Sequence, residues 1–216
     1  YLIHLHPGFY SETVTWKSNV SIMGEGQDVS RISAVNYSQA VDEVNRVTFH
    51  SVQLLTANIN TTVSTNSSNI IFHSCAGATI TYTGTVNNTG SNLFVQAGSS
   101  YNTLNVVSGL ARVIAARGTF IAVNVSDASV SELVYIGGWL QGTLTAAGRA
   151  KIELTGVKNT SNMNANAIGP DRPTLSIDGS SWPASPGSIF EADWSIITKT
   201  TPGLAIAYPP GDPSKW

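Results

Sequence analysis

Charge is scarce in this chain: 11% of its 216 residues are Asp, Glu, Lys or Arg, against about a quarter in ordinary soluble domains. The formal net charge is −2, which gives no electrostatic case for nucleic-acid binding, since that wants a basic stripe. Cysteine is nearly missing as well. With Cys75 alone there is no intramolecular disulfide framework, and a small core residue is expected there. No run of about eighteen apolar residues occurs, so no membrane-spanning helix is implied. Helical patterning is also thin. Ala111–Ala116 comes nearest, and Val113-Ile114 fit a strand at least as well. Ser, Thr, Asn and Gly take the place of charge. That balance suits strands stacked edge to edge with uncharged polar turns, and it disfavours surface helices, which lean on Glu and Lys.

What is present is a recurring theme: an apolar run, one larger residue, then a small one. It reads Val20-Ser21-Ile22-Met23-Gly24, Val47-Thr48-Phe49-His50-Ser51, Ile70-Ile71-Phe72-His73-Ser74 and Leu93-Phe94-Val95-Gln96-Ala97. Later copies are Leu133-Val134-Tyr135-Ile136-Gly137, Lys151-Ile152-Glu153-Leu154-Thr155 and Ser176-Ile177-Asp178-Gly179. The Phe-His-Ser copies are offset by 23 residues (73 − 50). Gly, Asn and Ser clusters such as Asn66-Ser67-Ser68-Asn69 and Asn87-Asn88-Thr89-Gly90 separate the runs and supply turns. Strand rungs in phase, with no helix between them, predict a solenoid. The expected fold is all-β, a right-handed parallel β-helix over residues 1–200. A β-sandwich also has short strands and turns, but it predicts no common phase. An end cap is expected near 180–200, where Trp182 and Trp194 flank a Pro/Gly segment, and 201–216 reads as a Pro-rich extended tail. The strand-like run that opens the chain reads as part of a domain from a longer protein.

Residues 1–34 carry a resemblance. Leu2-Ile3-His4-Leu5-His6-Pro7-Gly8-Phe9-Tyr10-Ser11-Glu12-Thr13-Val14, followed by Asn19-Val20-Ser21-Ile22-Met23-Gly24-Glu25-Gly26, resembles the opening coil of pectin lyase-like β-helix proteins. Pectin methylesterases share a similar run, but their catalytic Gln and Asp signatures do not appear here, so esterase activity is not implied. The short, charge-poor, Ser/Thr/Asn-rich chain with its Pro-rich end also resembles the trimeric β-helical domains of phage tailspikes and large-virus surface proteins. That resemblance implies a homotrimer, a cell-wall or capsular polysaccharide partner, and a virion or extracellular location.

Coils of a parallel β-helix stack about 4.8 Å apart. In phase, one row runs Met23, His50, His73, Gln96, Ala115, Tyr135, Glu153 and Asp178. Their apolar neighbours Phe49, Phe72, Val95, Val134, Ile152 and Ile177 go inward by strand alternation, leaving the row outside. Such a row is the makeup of a carbohydrate site; its plainer reading is a structural ladder. Two reactions fit it. In β-elimination on a uronate-containing glycan, His50 or His73 acts as base and Tyr135 as acid. Arg112 or Arg117 pairs the carboxylate, and Gln96 and Trp139 contact the sugar. In hydrolysis, Glu153 and Asp178 on adjacent coils form a carboxylate pair about 5 Å apart. A calcium-dependent lyase wants clustered acids, and these are scattered, so neither metal nor cofactor is expected. His4 and His6 alternate on the first strand, but two ligands are too few for a site. The leading expectation is a polysaccharide lyase. The rivals are a hydrolase, a glycan-binding adhesin module and a trimerisation stalk.

Overall fold

The computed structural model describes residues 1–38, 46–61, 68–84, 91–96, 98–114, 119–125, 131–159, 164–168, 173–180 and 195–198. Among them there is no helix, and every strand pairing is parallel. Each strand pairs with the strand one coil on, which is the pairing of a β-solenoid and not of a sandwich. Of the end cap expected near 180–200, residues 181–194 with Trp182 and Trp194 lie outside the described residues, as does the expected tail, 201–216. Within 195–198, β18 (Ser195–Thr198) still stacks on β17 (Thr174–Asp178).

Two sheets form the walls. The first stacks β1 (Leu2–Leu5), β3 (Ser21–Gly24), β5 (Arg46–His50), β7 (Ser68–His73) and β9 (Ser91–Gln96). It continues with the second half of β10 (Ser100–Ile114), then β12 (Ser131–Ile136), β14 (Lys151–Thr155), β17 and β18. The second sheet stacks β2 (Gly8–Trp16), β4 (Ser30–Ser38), β6 (Gln53–Asn60), β8 (Ala76–Thr83) and the first half of β10. It ends with β11 (Thr119–Val125), β13 (Trp139–Ala147), β15 (Lys158–Asn159) and β16 (Asn164–Ile168).

Alternation along each strand makes the core. From the first sheet, Ile22, Phe49, Phe72, Val95, Val113, Tyr135, Leu154 and Ile177 stack inward in register, all buried. Phe49 lies over Phe72 at 5.0 Å between ring centroids. The second sheet answers with Val35, Ala57, Ile80, Leu104, Val123 and Leu144. Burial of such side chains contributes roughly 1.5–3 kcal/mol each.

The corner after each first-sheet strand breaks the ladder, and its backbone groups need other partners. Small buried residues supply them. Ser99 Oγ donates to the Gln96 carbonyl at 2.7 Å, lies 3.2 Å from the Phe72 carbonyl and accepts from the Cys75 N–H. Cys75 is buried, its thiol reaches the Phe49 carbonyl, and burial pushes its pKa up to about 12. It is a small core residue, as its position in the repeat suggests. The turn residue itself is left-handed: Ser51 and Ser74 have φ of 51° and 52°, and Gly137, Gly156 and Gly179 occupy the same place at 63°, 60° and 58°. Glycine adopts that region freely, whereas serine is strained there.

Candidate functional site

The strand register defines the outer row beside this corner. His4 pairs with Met23, Met23 with His50, His50 with His73, His73 with Gln96 and Gln96 with Ile114. The row then passes through Ile136 and Thr155 to Asp178. Three of the residues expected to act together, His50, His73 and Gln96, are therefore consecutive rungs. The imidazoles of His50 and His73 stack at 4.6 Å between centroids and 10° between planes. Each is oriented by the serine that follows it: Ser51 Oγ is 2.8 Å from His50 Nδ1, and Ser74 Oγ is 3.3 Å from His73 Nδ1. A hydroxyl can donate or accept, so it serves either imidazole tautomer. Partial burial, and secondarily the charge of His73, lower the pKa of His50 below its ordinary value. Near neutral pH His50 is therefore a neutral, hydrogen-bonding ring.

Other expected members fall elsewhere. Tyr135 is not in the outer row. It pairs with Val113 and Leu154, is fully buried, and its hydroxyl donates to the Trp139 carbonyl at 2.6 Å. Burial pushes its phenol well up. Polarity misplaced it: a tyrosine can face inward when its hydroxyl finds a backbone carbonyl, and a one-residue shift in a strand changes the face. Ala115 lies outside the described residues, and Ile114 occupies the rung to which it was assigned. Glu153 does face outward and is exposed, but in the neighbouring row, paired with Val134 and Ser176. Asp178 pairs with Thr155, two positions along. Diagonal neighbours of this kind are about 7–8 Å apart, so the two carboxylates do not form the close pair expected of them.

Arg112 is exposed in the same outer row as Glu153, paired with Phe94 and Val134. It stands one coil beyond Gln96 and two residues upstream of the Ile114 rung. Arg117 lies outside the described residues. Trp139 is 47% exposed at the head of β13, just past the Gly137-Gly138 corner, with Lys158 Nζ 5.6 Å from its ring centroid. It is an exposed ring, not a core cap. It stands two coils beyond Gln96, about 10 Å along the axis.

The arrangement offers a short polar strip, His50-His73-Gln96, followed outward by apolar Ile114 and Ile136, the latter 43% exposed. Arg112 stands beside this apolar continuation on the first sheet, and Trp139 stands past the Gly137-Gly138 corner, at the head of β13 in the second sheet. Chemically it presents planar hydrogen-bonding groups at a fixed step, one neutral imidazole and one guanidinium. The residues sequence reasoning missed are Ser51 and Ser74; their signal was the strict His-Ser adjacency in both copies. As a class, the fold is a parallel β-solenoid with this strip on its first sheet. Comparison with protein-family models, curated proteins and solved structures found no match.

Proposed function

We propose that the outer face of the first sheet is a polysaccharide-binding surface, the glycan running along the solenoid axis. One observation carries this reading: the parallel, serine-oriented stack of His50 on His73, continued in register by Gln96. The coil spacing of about 4.8 Å is close to the length of one pyranose unit, so successive sugars each meet one planar side chain. Arg112 offers a guanidinium fork for a uronate carboxylate, and Trp139 offers an apolar ring face for a sugar further along. The resemblance to tailspike and large-virus domains supports a cell-wall or capsular glycan as partner. It also supports a homotrimeric assembly in a virion or extracellular protein, within the pectin lyase-like group.

A second reading, lyase chemistry on the same glycan, is favoured by the depressed pKa of His50, which keeps a base available near neutral pH. It lacks the acid assigned to Tyr135. The test is a titration of the chain with uronate polysaccharides by calorimetry, with ultraviolet absorbance of unsaturated uronate followed in parallel. Saturable heat without absorbance supports binding alone. Absorbance that disappears in His50→Ala establishes the lyase. No heat and no absorbance on any acidic glycan would sink both.

A further inference from the structure

The first coil carries a cluster at the far end of the same face. His4 and His6 are two residues apart, so alternation turns both to one side. The β1–β3 register puts Leu5 beside Gly24, and the next residue, Glu25, therefore comes up against His6. Glu25 Oε1 lies 3.2 Å from His6 Nδ1 and 3.9 Å from His4 Nε2. The three ligand atoms all fall within 4.8 Å of one another.

We propose that His4, His6 and Glu25 bind a divalent transition-metal ion, Zn2+ being the best fit. Ligands about 2.1 Å from a tetrahedral zinc are roughly 3.4 Å apart, and the two carboxylate–imidazole separations bracket that figure. The donor set decides the class of metal. Two imidazoles and a carboxylate suit zinc and its transition-row neighbours, whereas calcium and magnesium want oxygen ligands. All three side chains are exposed, so the ion has direct access and positions left for water.

The site is held from below by Ser30, a buried hydroxyl. Ser30 Oγ accepts the Glu25 N–H at 3.1 Å and lies 3.1 Å from the Leu5 carbonyl and 3.3 Å from that of His6. One side chain thus ties the backbone of two ligands together. Tyr10 adds a hydroxyl to the His6 carbonyl at 3.3 Å. Gly24 matters for the same reason: a Cβ there would lie 2.5 Å from the Ser51 carbonyl and 2.8 Å from Ser30 Cβ, forcing the Glu25 turn away. Outer-shell supports of this kind tune metal affinity. The bound ion would bridge the first strand to the turn of the next coil.

The site is independent of the glycan reading and is tested without it. Zn2+ is titrated into the full 216-residue chain by calorimetry, with Co2+ absorption as a second probe and circular dichroism as the folding control. The expected result is one equivalent per chain, with affinity falling tenfold or more in His6→Gln and in Glu25→Gln while metal-free thermal unfolding stays put. The His50→Gln/His73→Gln double variant should bind as the parent does. The proposal is overturned if the parent shows no saturable binding, if the two triad variants bind as tightly as the parent, or if the double variant loses the metal.

Discussion

The two sheets present different outer faces. On the second, one row reads Thr15, Asn36, Asn58, Thr81, Asn105, Asn124, Thr145. Its members bond to each other: Asn58 Nδ2 donates to Asn36 Oδ1 at 2.9 Å, Asn124 Nδ2 to Asn105 Oδ1 at 2.9 Å, and Asn105 Nδ2 to Thr81 Oγ1 at 3.4 Å. On the first sheet the row beside the corner changes chemistry as it climbs, from imidazole to amide to isoleucine to carboxylate. A row of Asn and Thr ties neighbouring coils together through side-chain hydrogen bonds. A row that changes cannot do so evenly, and its polar groups are directed outward. The uniform wall is a hydrogen-bonded ladder, and the varied wall is the one proposed above to meet a glycan.

Substitutions sharpen that contrast. The largest effect should come from beneath the variable face. Phe72→Ala empties the inner row under His73 and should cost about 3–5 kcal/mol, read as a lower denaturant midpoint. A loss below about 1 kcal/mol would mean the inner row does not support that wall. Next comes His73→Ala. Glycan affinity should drop tenfold or more, with stability changed by no more than about 1 kcal/mol; the reverse outcome, lost stability and kept binding, would make the imidazole stack a structural ladder. Asn105→Ala probes the other wall. It removes a donor and an acceptor from the ladder and should cost about 1 kcal/mol without touching glycan binding.

The smallest effect concerns pH. The folded state disfavours protonated His50, so the unfolded chain binds the proton more readily. His50 should therefore leave stability unaffected above its ordinary value of 6.5 and reduce it as pH falls through that value. Unfolding midpoints measured across pH 7 to 5 should show this decline, and His50→Gln should flatten it. An equal decline in the variant would assign the slope to other groups.

Much of the fold was legible because the inner row is apolar at a steady phase. The two Phe-His-Ser copies set the register from Met23 to Gln96 without error. Beyond Gln96 the step shortens to 18 residues, the separation of Gln96 and Ile114, and no polar residue marks the next two outer rungs, Ile114 and Ile136. Choosing the polar residue then led to Tyr135, which is inside, and to Glu153, one row over. Isoleucine at two outer rungs defeats any rule that equates outward with polar. Glu25 reads in the sequence as a solvated turn residue, for a different reason. It lies 19 residues from His6 in sequence, and only the β1–β3 register brings it alongside.

The corner residues carry a consequence for how the surface can be extended. After the stacked rungs His50 and His73 the turn keeps a serine; further along, where the rung is isoleucine, threonine or aspartate, it keeps glycine. Backbone ease is surrendered at the coils whose ring needs a hydroxyl beside it. Imidazole, strained serine and a coil's length of chain thus behave as one transferable cassette. Duplicating residues 51–73 in tandem should lengthen the solenoid by a coil and add a third ring to the stack, so that the length of the planar ladder becomes a property set by copy number.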